Sequence, residues 1–132
     1  MSMQEVCNVL MSLPQQPDSA AQIHAAAMVA LRKAGFEVHP EFPIALDGRD
    51  GRIDIAVRKN GKWTGIELDA RKPRRNSIKK LLAFSGTRVI GLRGVEGPAP
   101  EGIDAVVAIP VRLASAAEIA DKRTTSKFWG RP

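Results

Sequence analysis

"GRIDIAVRKNGKWTGIELDARKPRRNSIKKLLAF", residues 51–84, is the stretch on which the reading of this chain turns. Its first part alternates with the two-residue period of a strand, placing Ile53, Ile55 and Val57 on one face and Arg52, Asp54, Ala56 and Arg58 on the other. Asn60 and Gly61 form the pair that most favours a two-residue hairpin turn, so the chain returns as an antiparallel strand through "WTGIELDA". In that return Ile66 and Leu68 share one face while Glu67 and Asp69 share the other. The hairpin brings Asp54 near Glu67 where the two project from the same face of the sheet. Carboxylates in adjacent strands lose hydration and repel each other, so the arrangement is costly without a cation or a basic partner. The alternative is a solvated sheet face on which both acids pair with Arg52, Arg58 or Arg71.

Outward from this stretch, "RKPRRNSIKK" holds six Lys or Arg in ten positions and no acid. It reads as a loop followed by a helix capped at Asn76 or Ser77, with Ile78, Leu81 and Leu82 as the apolar face. Upstream, "DSAAQIHAAAMVALRKAGF" predicts a helix capped by Asp18 or Ser19 and ended by Gly35, its buried stripe formed by Ile23, Ala26, Ala27, Ala30, Leu31 and Ala34. "FEVHPEFPI" alternates loosely and carries two prolines, which suits an edge strand. Downstream, "RVIGLRG" and "IDAVVAIPV" read as strands separated by a Gly- and Pro-rich loop over residues 94–102. The organisation expected is a leader over residues 1–18, in which "EVCNVLMSL" can form a short helix cut off by Pro14 and Pro17, and one α/β domain with a central mixed sheet over 19–114. A short helix around "SAAEIAD" and a basic tail ending "KFWGRP" occupy 115–132.

The 132 residues suit one domain, and 44% hydrophobic with 26% charged residues can fill a core. A net charge of +6 favours an anionic partner, nucleic acid first and an anionic membrane surface second. Cys7 is the single cysteine, which excludes an internal disulfide and a thiolate zinc site and fits a reducing interior. No apolar run approaches the roughly 20 residues that span a bilayer, and "MSMQEVCNVLMSLP" lacks the basic start and apolar stretch of a secretion signal, so the cytoplasm is the expected location.

The order helix, strand, strand, strand, helix, strand, with Asp54 in "GRIDIAV", Glu67 thirteen residues later in "GIELDARKP" and then the basic "RRNSIKKL", resembles the PD-(D/E)XK nuclease superfamily. The resemblance covers roughly residues 19–93 and implies a restriction-endonuclease-like α-β-β-β-α-β core. It implies further that Asp54 and Glu67, with the Leu68 carbonyl as a third ligand, hold Mg²⁺ or Mn²⁺ for hydrolysis of DNA phosphodiester bonds. In that superfamily a lysine two residues after the glutamate acts on the attacking water, and here that position holds Asp69. Three readings follow. A relocated lysine, Lys79 or Lys72, supplies the function; Asp69 is itself a third carboxylate of the site; or activity is lost and a binding module remains. The additional first-helix glutamate of many members is replaced by Gln22 and His24.

The basic block suits phosphate contacts from Arg71, Lys72, Arg74, Arg75 and Lys80, against the plainer reading of a solvated loop and helix face. Trp63 and Trp129 are available for stacking on a base, with packing the simpler role for Trp63. His24 and His39 have no metal-ligand spacing, no phosphate-binding loop is present, and Cys7 has no organised partner. The expectation is a small Mg²⁺-dependent DNA endonuclease, possible on branched or junction DNA, with a homodimer suiting cleavage of both strands. The alternatives are an inactive nucleic-acid-binding or protein-interaction module on the same scaffold, and a structural accessory whose charge serves solubility.

Overall fold

A computed structural model of the chain describes residues 2–112. The elements are α1 (Ser2–Met11), α2 (Ala20–Lys33), β1 (Glu37–Leu46), β2 (Arg49–Lys59), β3 (Lys62–Asp69), α3 (Arg75–Leu82), β4 (Thr87–Arg93) and β5 (Ala105–Ile109). The five strands form one α/β sheet in the order β1-β2-β3-β4-β5. The first three are antiparallel, and β3, β4 and β5 run parallel, so the sheet is mixed. Helices α1 and α2 cover one face, burying Val6, Leu10, Ile23 and Leu31 against Ile55, Val57, Ile66, Val89 and Ile109. Helix α3 covers the other through Leu81, which packs with Ile53, Phe84, Ile90 and Leu92. Among the described residues no helix is long and apolar enough to cross a membrane.

Two hairpins set the register. Asn60 (φ 53°) and Gly61 (φ 77°) join β2 to β3, as their residue types require for a left-handed two-residue turn. Asp47 (φ 42°) and Gly48 (φ 78°) make the same turn between β1 and β2, which extends the edge strand past Ile44. The prolines of β1 are tolerated because it has a neighbour on one side only.

The alternation expected in β2 breaks at Asp54. Ile55 and Val57 face α1 and α2, but Ile53 packs with the α3 cluster. Pro40 pairs with Ile55 and Phe42 with Ile53, while Glu41, left-handed at φ 53°, interrupts the ladder opposite Asp54. A left-handed residue reverses the side-chain alternation of a strand, so the paired strands change faces together at this point.

The segment expected as a leader contains α1, whose Val6 and Leu10 are fully buried and whose Glu5 binds Lys59 at 2.7 Å. Burial of two such side chains stabilises the fold by roughly 1.5–3 kcal/mol each. Helix α2 is capped as expected, the Gln22 amide donating to Ser19 Oγ. Helix α3 differs from its prediction: it begins at Arg75, Ser77 lies inside it as a buried residue, and Leu82 is exposed rather than part of the buried face. The helix expected around "SAAEIAD", the tail and Trp129 lie outside the described residues.

Candidate active site

At the hairpin end, Ile55 to Lys59 pair with Lys62 to Ile66 in an unbroken ladder. Beyond Ile55 the pairing stops, and two carboxylates take over the exposed main-chain donors. The Asp54 amide donates to Glu67 Oε2 at 2.7 Å, and the Leu68 amide donates to Asp54 Oδ2 at 2.8 Å. Each acid therefore closes the other's strand, because a buried amide without an acceptor is costly.

Glu67 is fully buried, and Lys80 Nζ on α3 lies 2.8 Å from its Oε1. Burial raises the Glu67 carboxyl above its usual range; Lys80 and the Asp54 amide pull it back, and the nearby Asp54 charge raises it further. Lys80 falls three residues after buried Ser77, which is why helical spacing turns its side chain toward the sheet. Lys79, the lysine expected there, is exposed without an ion pair among the described residues and lines, together with Lys80, the cleft beside the turn between β1 and β2. Lys72 is exposed and has no ion pair among the described residues. The sequence carried no signal for Lys80 over Lys79, because Ser77 read there as a cap and its burial inside α3 is set by packing.

Asp69 is held differently. Its Oδ2 accepts from the Arg74 amide at 2.9 Å, and its Oδ1 accepts from Arg74 Nε at 3.1 Å and Ser77 Oγ at 2.7 Å. Arg74 at the N-cap makes no side-chain capping bond of its own, so Asp69 supplies from the end of β3 the acceptor that the first turn of α3 needs. The residue breaking the expected pattern anchors the helix that delivers Lys80.

A cleft of about 280 Å³ opens at the carboxyl ends of β3 and β4, lined by Ala20, His24, Asp54, Leu68, Asp69, Ala70, Arg74 and Arg93. The carboxyl ends of parallel strands, here β3 and β4, are where open α/β sheets commonly bind ligands. Two cleft residues were not singled out from the sequence for this place. His24 comes from α2, its Nε2 buried without a hydrogen-bond partner, and Arg93 closes β4. Asp18 binds Arg93 and Arg71 at 3.1 Å each, and Arg71 donates to the Arg93 carbonyl at 3.0 Å. These arginines, Arg93 foremost, hold the Asp18 carboxyl below its usual range. Arg71 thus clasps the start of α2 to the end of β4. Arg75 is exposed on α3, and Arg74 borders both clefts.

Asp54, Glu67 and the Leu68 carbonyl are hard oxygen donors of the kind Mg²⁺ takes, and Asp54 Oδ1 carries no hydrogen bond among the described residues. Among the described residues no three His, Cys, Asp or Glu side chains cluster at ligating distances, so a main-chain oxygen and water would complete such a set. Of these donors Asp54 and Leu68 line the cleft, whereas the Glu67 oxygens lie against other groups, Oε2 against the Asp54 amide and Oε1 against Lys80 Nζ. No protein-family model matches this sequence and no curated protein matches it, so the reading of the site rests on its own residues.

Proposed function

We propose that the chain is a metal-dependent DNA nuclease on a restriction-endonuclease-like core of the PD-(D/E)XK kind, with Asp54, Glu67 and Lys80 as its catalytic set. The observation that carries the reading is the ammonium of Lys80, 2.8 Å from Glu67, whose other oxygen is locked to the Asp54 amide. Lys80, from the helix that follows β3, is the candidate for the role that the lysine two residues after the glutamate has in that superfamily.

Hydrolysis forms a P–O bond to a water oxygen, breaks the P–O bond to the leaving oxygen and delivers a proton to that leaving oxygen. Lys80 places a positive charge and donatable protons beside the carboxylate pair, where negative charge develops on the phosphoryl oxygens. Arg74 and Arg93 border the cleft and suit its phosphate. Asp69 fixes Arg74 and the first turn of α3, and so positions Lys80. Mg²⁺ or Mn²⁺ held by Asp54, Glu67 and the Leu68 carbonyl would supply charge neutralisation and a more acidic water.

The test is incubation with supercoiled, linear and branched DNA in Mg²⁺, Mn²⁺ or chelator. Cleavage that needs the metal and disappears in Asp54→Asn and Lys80→Ala supports the nuclease. A second reading, an inactive DNA-binding module, draws on the engagement of both Glu67 oxygens. DNA binding with no cation binding and no cleavage of any substrate would replace the first reading by the second.

A further inference from the structure

Ala20 and His24 lie one helical turn apart on α2, and both line the cleft that holds Asp54 and Leu68. Asp18 fixes this end of the helix to the sheet through Arg71 and Arg93, each at 3.1 Å. His24 Nε2 is buried there without a hydrogen-bond partner. A buried ring nitrogen ordinarily has one, so an orphan in a cleft points to a group that the protein does not itself supply.

The cleft also has one charge left over. Arg74 is held by Asp69 and Arg93 by Asp18, whereas Asp54 has no ion pair among the described residues. Its Oδ2 accepts from the Leu68 amide at 2.8 Å, and Oδ1 stays open. The Leu68 carbonyl points to the same side of β3 as its amide, into the gap beyond Ile55 and Ile66 where the ladder with β2 has ended. A carboxylate oxygen, a main-chain carbonyl and an imidazole therefore border one cleft, while both Glu67 oxygens lie against other groups.

We propose that His24 is a metal ligand and that, with Asp54 Oδ1 and the Leu68 carbonyl, it holds a transition cation such as Mn²⁺, Co²⁺ or Zn²⁺ in preference to Mg²⁺. Imidazole is a softer donor than oxygen, and the affinity of nitrogen-containing sites rises from Mn²⁺ along the first-row series. Mg²⁺ prefers oxygen ligands and gives up water reluctantly, so a set with one carboxylate favours it least. Two side chains and a carbonyl leave the other positions to water, in keeping with the absence of any group of three ligating side chains among the described residues. The proposal names the metal of the nuclease reading and rests on that reading for its use in cleavage, although the binding itself can be measured without DNA.

The direct test is NMR of the histidine ring nitrogens in the full chain, titrated with diamagnetic Zn²⁺. His24 and His39 are the only two histidines, so a His39→Gln background leaves His24 as the single reporter. A saturable shift of one His24 ring nitrogen with Zn²⁺, and none with Mg²⁺, is expected. In calorimetry Mn²⁺ should bind at least about tenfold more tightly than Mg²⁺. His24→Leu, which keeps the ring site filled with an apolar side chain, should lower Mn²⁺ affinity at least about tenfold and leave Mg²⁺ affinity within about twofold. Circular dichroism checks that the variant is folded. His24 nitrogens unmoved by Zn²⁺, or Mn²⁺ bound no more tightly than Mg²⁺, would overturn the assignment. Mn²⁺ binding that needs His24, with no cleavage of any DNA, removes the nuclease reading and leaves the metal site standing. Metal-dependent cleavage with full Mn²⁺ affinity in His24→Leu does the reverse.

Discussion

The two ends of the β2–β3 pairing are built from one hairpin and behave in opposite ways. Near Asn60 and Gly61 the strands satisfy each other through main-chain bonds over Ile55–Lys59 and Lys62–Ile66. At the far end the ladder gives way to Asp54 and Glu67, each accepting from the other strand's backbone. A closed ladder has no donor or acceptor left for chemistry. The opened end keeps carboxylates inside the sheet, and a side-chain acceptor, unlike a main-chain one, can change its protonation or its partner. The cost is borne by Glu67, fully buried and pushed above the usual carboxylate range.

The sharpest way to break this comparison is to remove the carboxylates at the open end. Asp54→Asn and Glu67→Gln preserve shape and should each lower metal-dependent cleavage by at least about 10²–10³-fold, the scale of losing a principal electrostatic contribution. Retained cleavage in either variant would show that the open end is structural. Next in size is the lysine: Lys80→Ala should reduce kcat about 10²-fold with KM little changed, because its charge matters most in the transition state. Lys79→Ala should act on KM and salt dependence instead. If Lys79 proves the more damaging to kcat, the pairing of Lys80 with Glu67 is not the catalytic one.

Asp69 tests the neighbouring position on the same face of β3. Asp69→Ala removes three hydrogen bonds at the start of α3 and should cost about 2–3 kcal/mol in denaturant unfolding. Mg²⁺ affinity measured by calorimetry should change little. A lost Mg²⁺ signal with unchanged stability would make Asp69 a ligand rather than an anchor.

The smallest effect is on pH. Because burial raises Glu67 above its ordinary 4.5, its contribution to stability is complete below 4.5 and declines as pH climbs through the raised native value, where the buried carboxyl must ionise. Unfolding free energy of metal-free protein should therefore fall across that window, and Glu67→Gln should flatten it. An unchanged profile in the variant would assign the slope to other groups.

Much of this was legible in residues 51–84. Alternation, the Asn60-Gly61 pair and the position of Glu67 thirteen residues after Asp54 place two acids across a hairpin, and hairpin geometry is local. Asp47-Gly48 is an equally local signal that gives the hairpin between β1 and β2. The reversal at Asp54 was hidden, because it depends on Glu41 adopting a left-handed conformation in another strand. The role of α1 was hidden as well, since a short helix ended by Pro14 shows its value only when Val6 and Leu10 meet the sheet.

By itself the sequence determined the α/β alternation, the turns, the basic composition after β3 and the proximity of Asp54 to Glu67, because each follows from side-chain period or turn chemistry within a few residues. Tertiary structure decided which lysine reaches Glu67, that Asp69 holds the start of α3, and that His24 and Arg93 share a cleft with Asp54. The physical reason is that a helix's azimuth over a sheet is fixed by packing and anchoring, here Leu81 in the core and Asp69 at the first turn. Adjacent lysines on a helix point about 100° apart at 3.6 residues per turn, so that azimuth turns Lys80 onto Glu67 and leaves Lys79 exposed.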